Sequence, residues 1–217
     1  MKVTVSNLLI IFLVSFSATV FSQEKVNQLD AQGKRTGIWK KYYNNKRIRY
    51  EGTFEAGKEV GTFKFYSEVS SNYPVIIKEF SSNSNIAKVS FYTVKGILLS
   101  KGEMNGKNRV GMWLYFHDDG KTLMSEENYE NGVLNGSSTT YYKSGKVTET
   151  KFYKEGKLHG NLKRFSSDGI LLDDVFYEEG KLNGPAKYYN SKGKLILSGD
   201  YKDDLKVGEW VNFKDED

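Results

Sequence analysis

The chain has 217 residues, a formal net charge of +5 and no cysteine. A charge this small does not favour nucleic acid as the partner. The lack of cysteine excludes disulfides and a lipid anchor attached at a cysteine. Because aromatic residues make up 14% of the chain, the packing is expected to rest largely on Phe, Tyr and Trp rings.

The first 22 residues are predicted to be a secretory signal peptide. Lys2 gives a short charged start, residues 3–20 are almost wholly apolar or small, and Ser22 is a small residue at the expected cut. The apolar run is short for a membrane span, so an uncleaved anchor is the less favoured alternative. We therefore expect an exported chain of residues 23–217, without a transmembrane span, that is periplasmic, on the outer surface or secreted.

A glycine recurs along the rest of the chain in steps of 24, 50, 25, 24, 24 and 24 residues. These anchor glycines are Gly37, Gly61, Gly111, Gly136, Gly160, Gly184 and Gly208. The step of 50 is two steps of 25, which indicates a unit that has lost its glycine near Ile86 or Ala87. Such a regular period predicts a stack of small, similar structural units, and arrays of this kind usually serve as binding surfaces.

The units share an aromatic residue five positions after the glycine and turn signals on either side of a second strand-like run. The aromatic column is Tyr42, Tyr66, Phe116, Tyr141, Phe165, Tyr189 and Phe213. Pairs such as Asp168-Gly169 and Glu179-Gly180 are typical of tight hairpin turns. Each unit is therefore predicted to be strand, turn, strand, turn, and the fold class all-β. The hairpins, about 24 residues each, are expected to form one elongated antiparallel sheet.

The predicted unit boundaries follow from this alignment. The units lie near 33–56, 57–82, 83–105, 106–131, 132–155, 156–179, 180–203 and 204–217. The fixed spacing from glycine to aromatic residue favours a packing role for the anchor, in which one unit's ring lies over the glycine of the next. Residues 67–95 depart from the pattern, with Pro74 and an Asn/Ser stretch, and indicate a degenerate unit with an insertion.

Residues for catalysis or metal binding are few and scattered. His117 and His159 belong to different units, which does not favour a metal site or a nucleophile–histidine pair. Acidic pairs occur at Asp118-Asp119, Asp173-Asp174 and Asp203-Asp204. Adjacent strand residues point to opposite faces and turn aspartates bond the backbone, so these pairs are expected to be structural. No catalytic residue, metal site or cofactor is predicted.

The best candidate for a binding patch is the basic start of the array. It consists of Lys40, Lys41, Tyr42, Tyr43, Arg47 and Arg49. Cations beside aromatic rings suit an acidic protein, anionic lipid or acidic polysaccharide, although the same residues also suit an ordinary solvated strand. The acidic end, residues 200–217, allows a second expectation: head-to-tail self-association, with an apparent mass that rises as salt is lowered.

The segments Gly156-Lys-Leu-His-Gly160-Asn-Leu-Lys-Arg-Phe165 and Gly180-Lys-Leu-Asn-Gly184-Pro-Ala-Lys-Tyr-Tyr189 resemble MORN repeats, and more closely the bacterial variant repeats of an antitoxin-like branch. The resemblance covers about residues 30–213. It implies a non-catalytic binding or scaffolding module. Three functions stay open on the sequence alone: an envelope or protein scaffold, a neutraliser of a toxin, and an enzyme acting on surface polymers, which would need carboxylates converging on a cleft.

Overall fold

A computed structural model describes residues 25–81 and 84–213, so the predicted signal peptide lies outside the described residues. The described chain is all-β, and none of it is a helix long and apolar enough to span a membrane. The strands are β1 (Gln28–Leu29), β2 (Arg35–Tyr42), β3 (Ile48–Glu55), β4 (Lys58–Phe65), β5 (Ile76–Phe80), β6 (Ile86–Tyr92), β7 (Leu98–Asn105), β8 (Asn108–Phe116), β9 (Leu123–Glu130), β10 (Val133–Tyr141), β11 (Val147–Lys154), β12 (Lys157–Leu158), β13 (Gly160–Phe165), β14 (Leu171–Glu178), β15 (Lys181–Tyr189), β16 (Leu195–Lys202) and β17 (Leu205–Asn212).

With the exception of β12 and β13, each strand pairs antiparallel with its neighbours in sequence, from β1–β2 through to β16–β17. Short β12 lies beside β11, which also pairs with β13. The result is one open sheet in hairpin order, which confirms the predicted all-β array of tandem hairpins. Most predicted units contain two long strands, and the described part of the last contains β17.

Several turns are closed by a polar side chain that accepts hydrogen bonds from the backbone N–H groups following it. Ser166 Oγ accepts hydrogen bonds from the N–H groups of Asp168 and Ile170. Asp30, Thr93 and Asn190 do the same for the residues two and four positions later. These side chains replace the backbone partners that a turn lacks.

The turn between units ties each unit to the one before it. In five of these turns the two central residues both have positive φ, as with Glu179 (49°) and Gly180 (87°), which is the conformation of a two-residue hairpin loop. The N–H of Gly180 then donates to the carbonyl of Leu158, two residues before an anchor glycine, at 2.9 Å. Gly57, Gly132, Gly156 and Asp204 donate to the equivalent carbonyls of the preceding units at 2.8–3.0 Å. This contact fixes the repeat length.

The anchor glycines lie in β-bulges. At β7–β8, Glu103 pairs with Val110 while Lys101 pairs with Leu114, so β8 carries two extra residues around Gly111. All seven anchor glycines have positive φ, between 64° and 117°. A Cβ at Gly37, Gly61, Gly111 or Gly208 would meet no atom within 4 Å. At these four anchors the expectation that a ring packs over the glycine is therefore wrong, and the glycine supplies a left-handed backbone conformation. At Gly184 a Cβ would lie 3.4 Å from the Phe176 ring of the preceding unit, so a ring contact accompanies the positive φ there.

The rings pack instead over a second set of glycines, in the preceding strand. A Cβ at Gly102 would lie 2.5 Å from the ring of Trp113, and one at Gly199 would lie 2.3 Å from the ring of Trp210. Phe63 covers Gly52 in the same way. Trp113 Nε1 donates to Glu103 O at 3.0 Å, so the indole is both buried, with 0% exposure, and satisfied.

The residue beneath each core position complements its size. We call the sheet face that carries Trp39, Phe63, Val89, Trp113, Ser138, Leu162, Ala186 and Trp210 the aromatic face, and the opposite one the polar face. Glycine stands beneath Phe63, Trp113 and Trp210. The smaller core residues have a longer residue beneath them in the preceding strand. For Val89, Ser138, Leu162 and Ala186 these residues are Lys78, Glu127, Lys151 and Val175, respectively. On its other side, each of the latter pairs with the preceding core residue of the array, namely Phe63, Trp113, Ser138 and Leu162. Large over small is the rule of close packing.

The irregular unit shows what the anchor glycine does. Across β5–β6 the register runs without a break from Ile76↔Phe91 to Phe80↔Ala87, where the sequence has no anchor glycine. Without a glycine to take positive φ, no bulge forms. The extra length of this unit lies between β4 and β5, in residues 66–75, which include Pro74.

We expect Gly102→Ala to lower the free energy of unfolding by about 2 kcal/mol, the usual scale of overpacking, because its Cβ would overlap the Trp113 ring. The same change in a Trp113→Leu background should cost clearly less, since the ring is gone. Urea denaturation of the four proteins measures this coupling. An equal loss in both backgrounds would contradict the ring-over-glycine contact.

Candidate binding surfaces

The structure divides the predicted basic patch between the two faces of the sheet. Lys41 pairs with Tyr50 on the aromatic face, whereas Lys40 pairs with Glu51 on the polar face. Arg49, between Tyr50 and the β2–β3 turn, belongs to the polar face because side chains alternate along a strand. The six residues therefore do not form a single flat surface.

Two residues of the patch hold the fold together. Tyr43 Oη donates to the carbonyl of Tyr66, in the next unit, at 2.8 Å. Four units later, Tyr142 Oη makes the equivalent contact with the carbonyl of Phe165. The Arg47 guanidinium donates to the carbonyls of Glu68 and Val69. These bonds fasten the first inner turn to the segment after β4, so both residues have a structural role.

Lys40 is also engaged within the protein. Its ammonium lies 3.6 Å from Glu51 Oε2, and Glu51 accepts a hydrogen bond from Tyr66 Oη at 3.0 Å. Burial, the hydrogen bond to Glu51 and the charge of Glu51 together raise the pKa of Tyr66 to about 12, since all three disfavour the phenolate. The charge of Lys40 is thus partly neutralised before any partner arrives.

Three members of the patch remain available. Lys41 and Arg49 are exposed, and Tyr42 has 54% of its surface exposed. The Arg49 guanidinium lies 5.7 Å from the Tyr43 ring centroid. Within the described residues, no carboxylate lies at ion-pair distance from Lys41 or Arg49. Each of these two cations can therefore receive an anionic group, Lys41 on the aromatic face and Arg49 on the polar face.

Each of the three tryptophans is covered by a cation four residues earlier in the chain. Arg35, Arg109 and Lys206 lie 4.7, 4.6 and 4.1 Å from the ring centroids of Trp39, Trp113 and Trp210. Residues separated by four positions share a face of a strand in any case, and the bulge between them shortens the distance so that cation and ring are in contact, which stabilises the pair. The spacing of each cation and tryptophan can be read from the sequence, but only the bulge explains why their side chains are in contact.

The middle of the aromatic face carries a line of paired charges. Glu149 lies 2.6 Å from the ammonium of Lys151, and Asp173 lies 2.6 Å from Nε of Arg164. Burial lowers the pKa of Lys151, but the hydrogen bond and charge of Glu149 outweigh it, and the pKa is raised. This polar segment separates the core around Trp113 from the core of Leu162, Val175 and Ala186.

A tyrosine network closes the first core toward that segment. Arg109 donates to Tyr115 Oη at 2.8 Å, the hydroxyls of Tyr115 and Tyr129 are 3.1 Å apart, and Tyr129 donates to Glu127 at 2.7 Å. Burial, followed by the bond with Tyr129 and the charge of Glu127, raises the pKa of Tyr115 well above its usual range. The polar groups here satisfy one another, so this network is structural.

A groove of about 840 Å³ opens on the aromatic face beside the irregular unit. It reaches from Arg35 in β2 to the β7–β8 turn, and Phe54, Phe80, Ala87 and Met104 give it an apolar lining. Its charged lining residues are Arg35, Lys58, Glu59 and Lys78. Sequence reasoning singled out the irregular segment but not these residues.

The acidic pairs have structural partners. Asp119 accepts bonds from the backbone N–H groups of Lys121 and Thr122, and Asp118 pairs with Lys143 at 2.5 Å. Asp173 and Asp174 pair with Arg164 and Lys163, Asp203 with Lys181, and Asp204 accepts the N–H of Leu182. The part of the chain that the structure describes contains no group of three or more His, Cys, Asp or Glu side chains able to hold a metal ion.

Comparison with known families agrees with this architecture. The model of the MORN repeat variant matches residues 35–56 and 134–155, which form the hairpins β2–β3 and β10–β11. The chain is therefore a MORN-repeat protein, of a family whose repeats are generally non-catalytic and have binding roles. A comparison with curated proteins found no significant match.

Proposed function

We propose that the protein is an exported, non-catalytic interaction scaffold that binds a protein or an anionic component of the cell envelope through its first hairpin. The observation that carries the proposal is that the exposed cations of the first hairpin, Lys41 on one face of the sheet and Arg49 on the other, are unneutralised, and that Tyr42 beside Lys41 in the chain is exposed. Tyr and Arg are residue types enriched at interfaces. The repeat family supports a binding role, and the apolar first 22 residues support export.

Export has a direct test. If residues 1–22 are a signal peptide, the protein recovered from cells should begin at Gln23, as read by N-terminal sequencing or intact mass. Recovery of a chain that still begins at Met1 would contradict the proposal.

The binding site is tested by affinity capture from native envelope extract with Lys41→Glu/Arg49→Glu protein as bait. Arg47 and Tyr43 are left unchanged because they hold the fold. Lys187→Glu/Lys202→Glu is the matched control, since both lysines are exposed strand residues of the seventh unit and the charge change is the same. We expect the first variant to lose capture about tenfold or more, as charge reversal at an interface does, and the control to match the wild type.

The competing ligands are separated in the same experiment. Co-sedimentation with phosphatidylglycerol vesicles, compared with phosphatidylcholine vesicles, tests an anionic lipid surface, and an acidic polysaccharide column tests a glycan. Equal capture by the reversed variant and the wild type would show that the first hairpin is not the site. Failure of the wild type to bind protein, lipid and polysaccharide alike would contradict the scaffold function itself.

A further inference from the structure

One lysine stands at an unusual place on the aromatic face. Lys78 in β5 pairs with Phe63 on one side and Val89 on the other, and each of these neighbours is only 1% exposed. In three other units the same position beneath the core residue is a glycine, Gly52, Gly102 or Gly199. An ammonium in a row of buried apolar side chains is unfavourable unless its charge is compensated.

The charge of Lys78 is not compensated within the described chain. Its ammonium lies 6.0 Å from the Phe65 ring centroid, and no carboxylate of the described residues forms an ion pair with it. The other polar residues of this column are different. Glu127 receives the hydroxyl of Tyr129, and Lys151 pairs with Glu149 at 2.6 Å.

The side chain of Lys78 lines the 840 Å³ groove, together with two further cations. Arg35 lies over the rings of Trp39 and Phe54, at 4.7 and 5.1 Å, and Lys58 lines the same groove. The single carboxylate of the lining is Glu59, which forms no ion pair with any of them. The groove therefore combines an apolar floor with an excess of positive charge.

The length of the groove indicates the kind of ligand. It crosses the sheet from β2 to β7, which is five interstrand spacings, or roughly 24 Å. An extended peptide of about seven residues has this length. A small anion would occupy only the space around one cation and leave the apolar floor exposed.

We propose that this groove binds an extended segment of a different protein in which acidic and apolar residues alternate along one face, at every second position. Its carboxylates pair with Lys78 and Arg35, and its apolar side chains lie against Phe80 and Met104. The assignment rests on the proposed binding function but gives it a second surface, separate from the first hairpin, and states the chemistry of the partner.

The test uses a fluorescein-labelled (Glu-Ser-Val-Ser)2 peptide, with (Gln-Ser-Val-Ser)2 as the neutral control, and fluorescence anisotropy with the purified protein. We expect the acidic peptide to bind and the neutral one to bind at least about tenfold more weakly, since charge-assisted hydrogen bonds are the strong ones. Lys78→Met should weaken the acidic peptide by a similar factor. Lys88→Met, an exposed lysine on the polar face of β6, should leave it unchanged.

A folding defect would not imitate this result, because Lys78→Met removes a half-buried charge and keeps the side-chain volume, so its melting temperature should equal or exceed that of the wild type. Failure of the peptide to bind the wild type, or equal binding by Lys78→Met, would overturn the proposal. If peptide binding fails while envelope capture still depends on Lys41 and Arg49, the groove assignment is wrong and the scaffold function stands.

A second copy of the chain is distinguished by light scattering at low and high salt. The proposal predicts that Lys78→Met has the same mass as the wild type at each salt concentration. A mass that rises at low salt in the wild type but not in Lys78→Met would show that the acidic residues of another copy occupy the groove, and would overturn the assignment to a different protein.

Discussion

The structure depends on a left-handed glycine placed once in each regular unit. Positive φ at Gly111 and its equivalents lets the strand take two extra residues against its neighbour. Because of the bulge, the side chain of the residue two positions after the glycine packs over the preceding strand. The carbonyl of the residue two positions before the glycine accepts a hydrogen bond from an N–H of the next turn between units. Ring packing, cation placement and the spacing of the units all follow from this geometry.

A single sheet has no second layer to cover it, so its core must form within one face. Here the rings of Phe63, Trp113 and Trp210 lie over glycines of the preceding strand, which brings large side chains close to backbone. Where the core residue is small, the strand beneath carries a longer side chain, often charged. Those charged positions are where the aromatic face departs from a purely structural role, and Lys78 is the one whose charged group has neither an ion pair nor a hydrogen bond within the described residues.

The period of the glycines was enough to predict the hairpins, the sheet and the order of the strands, because repeats of this length cannot bury a core except by stacking. The role of the anchor glycine was not predictable from spacing alone, since positive φ and ring packing both call for glycine. Gly52, Gly102 and Gly199 were the missed signal, because each precedes a large aromatic residue by eleven positions. The basic patch was found by composition, but only the pairing register shows that Lys40 and Lys41 face opposite sides.

The account is tested most directly at Gly111, where φ is 64° and a Cβ would meet nothing within 4 Å. Substitution there probes backbone conformation without steric overlap. Equilibrium unfolding of Gly111→Asn, Gly111→Ala and Gly111→Val should give a graded loss of stability, smallest for Asn, about 1–2 kcal/mol for Ala and largest for Val. Equal stability of all three variants and the wild type would contradict the claim that a left-handed glycine sets the geometry of each unit.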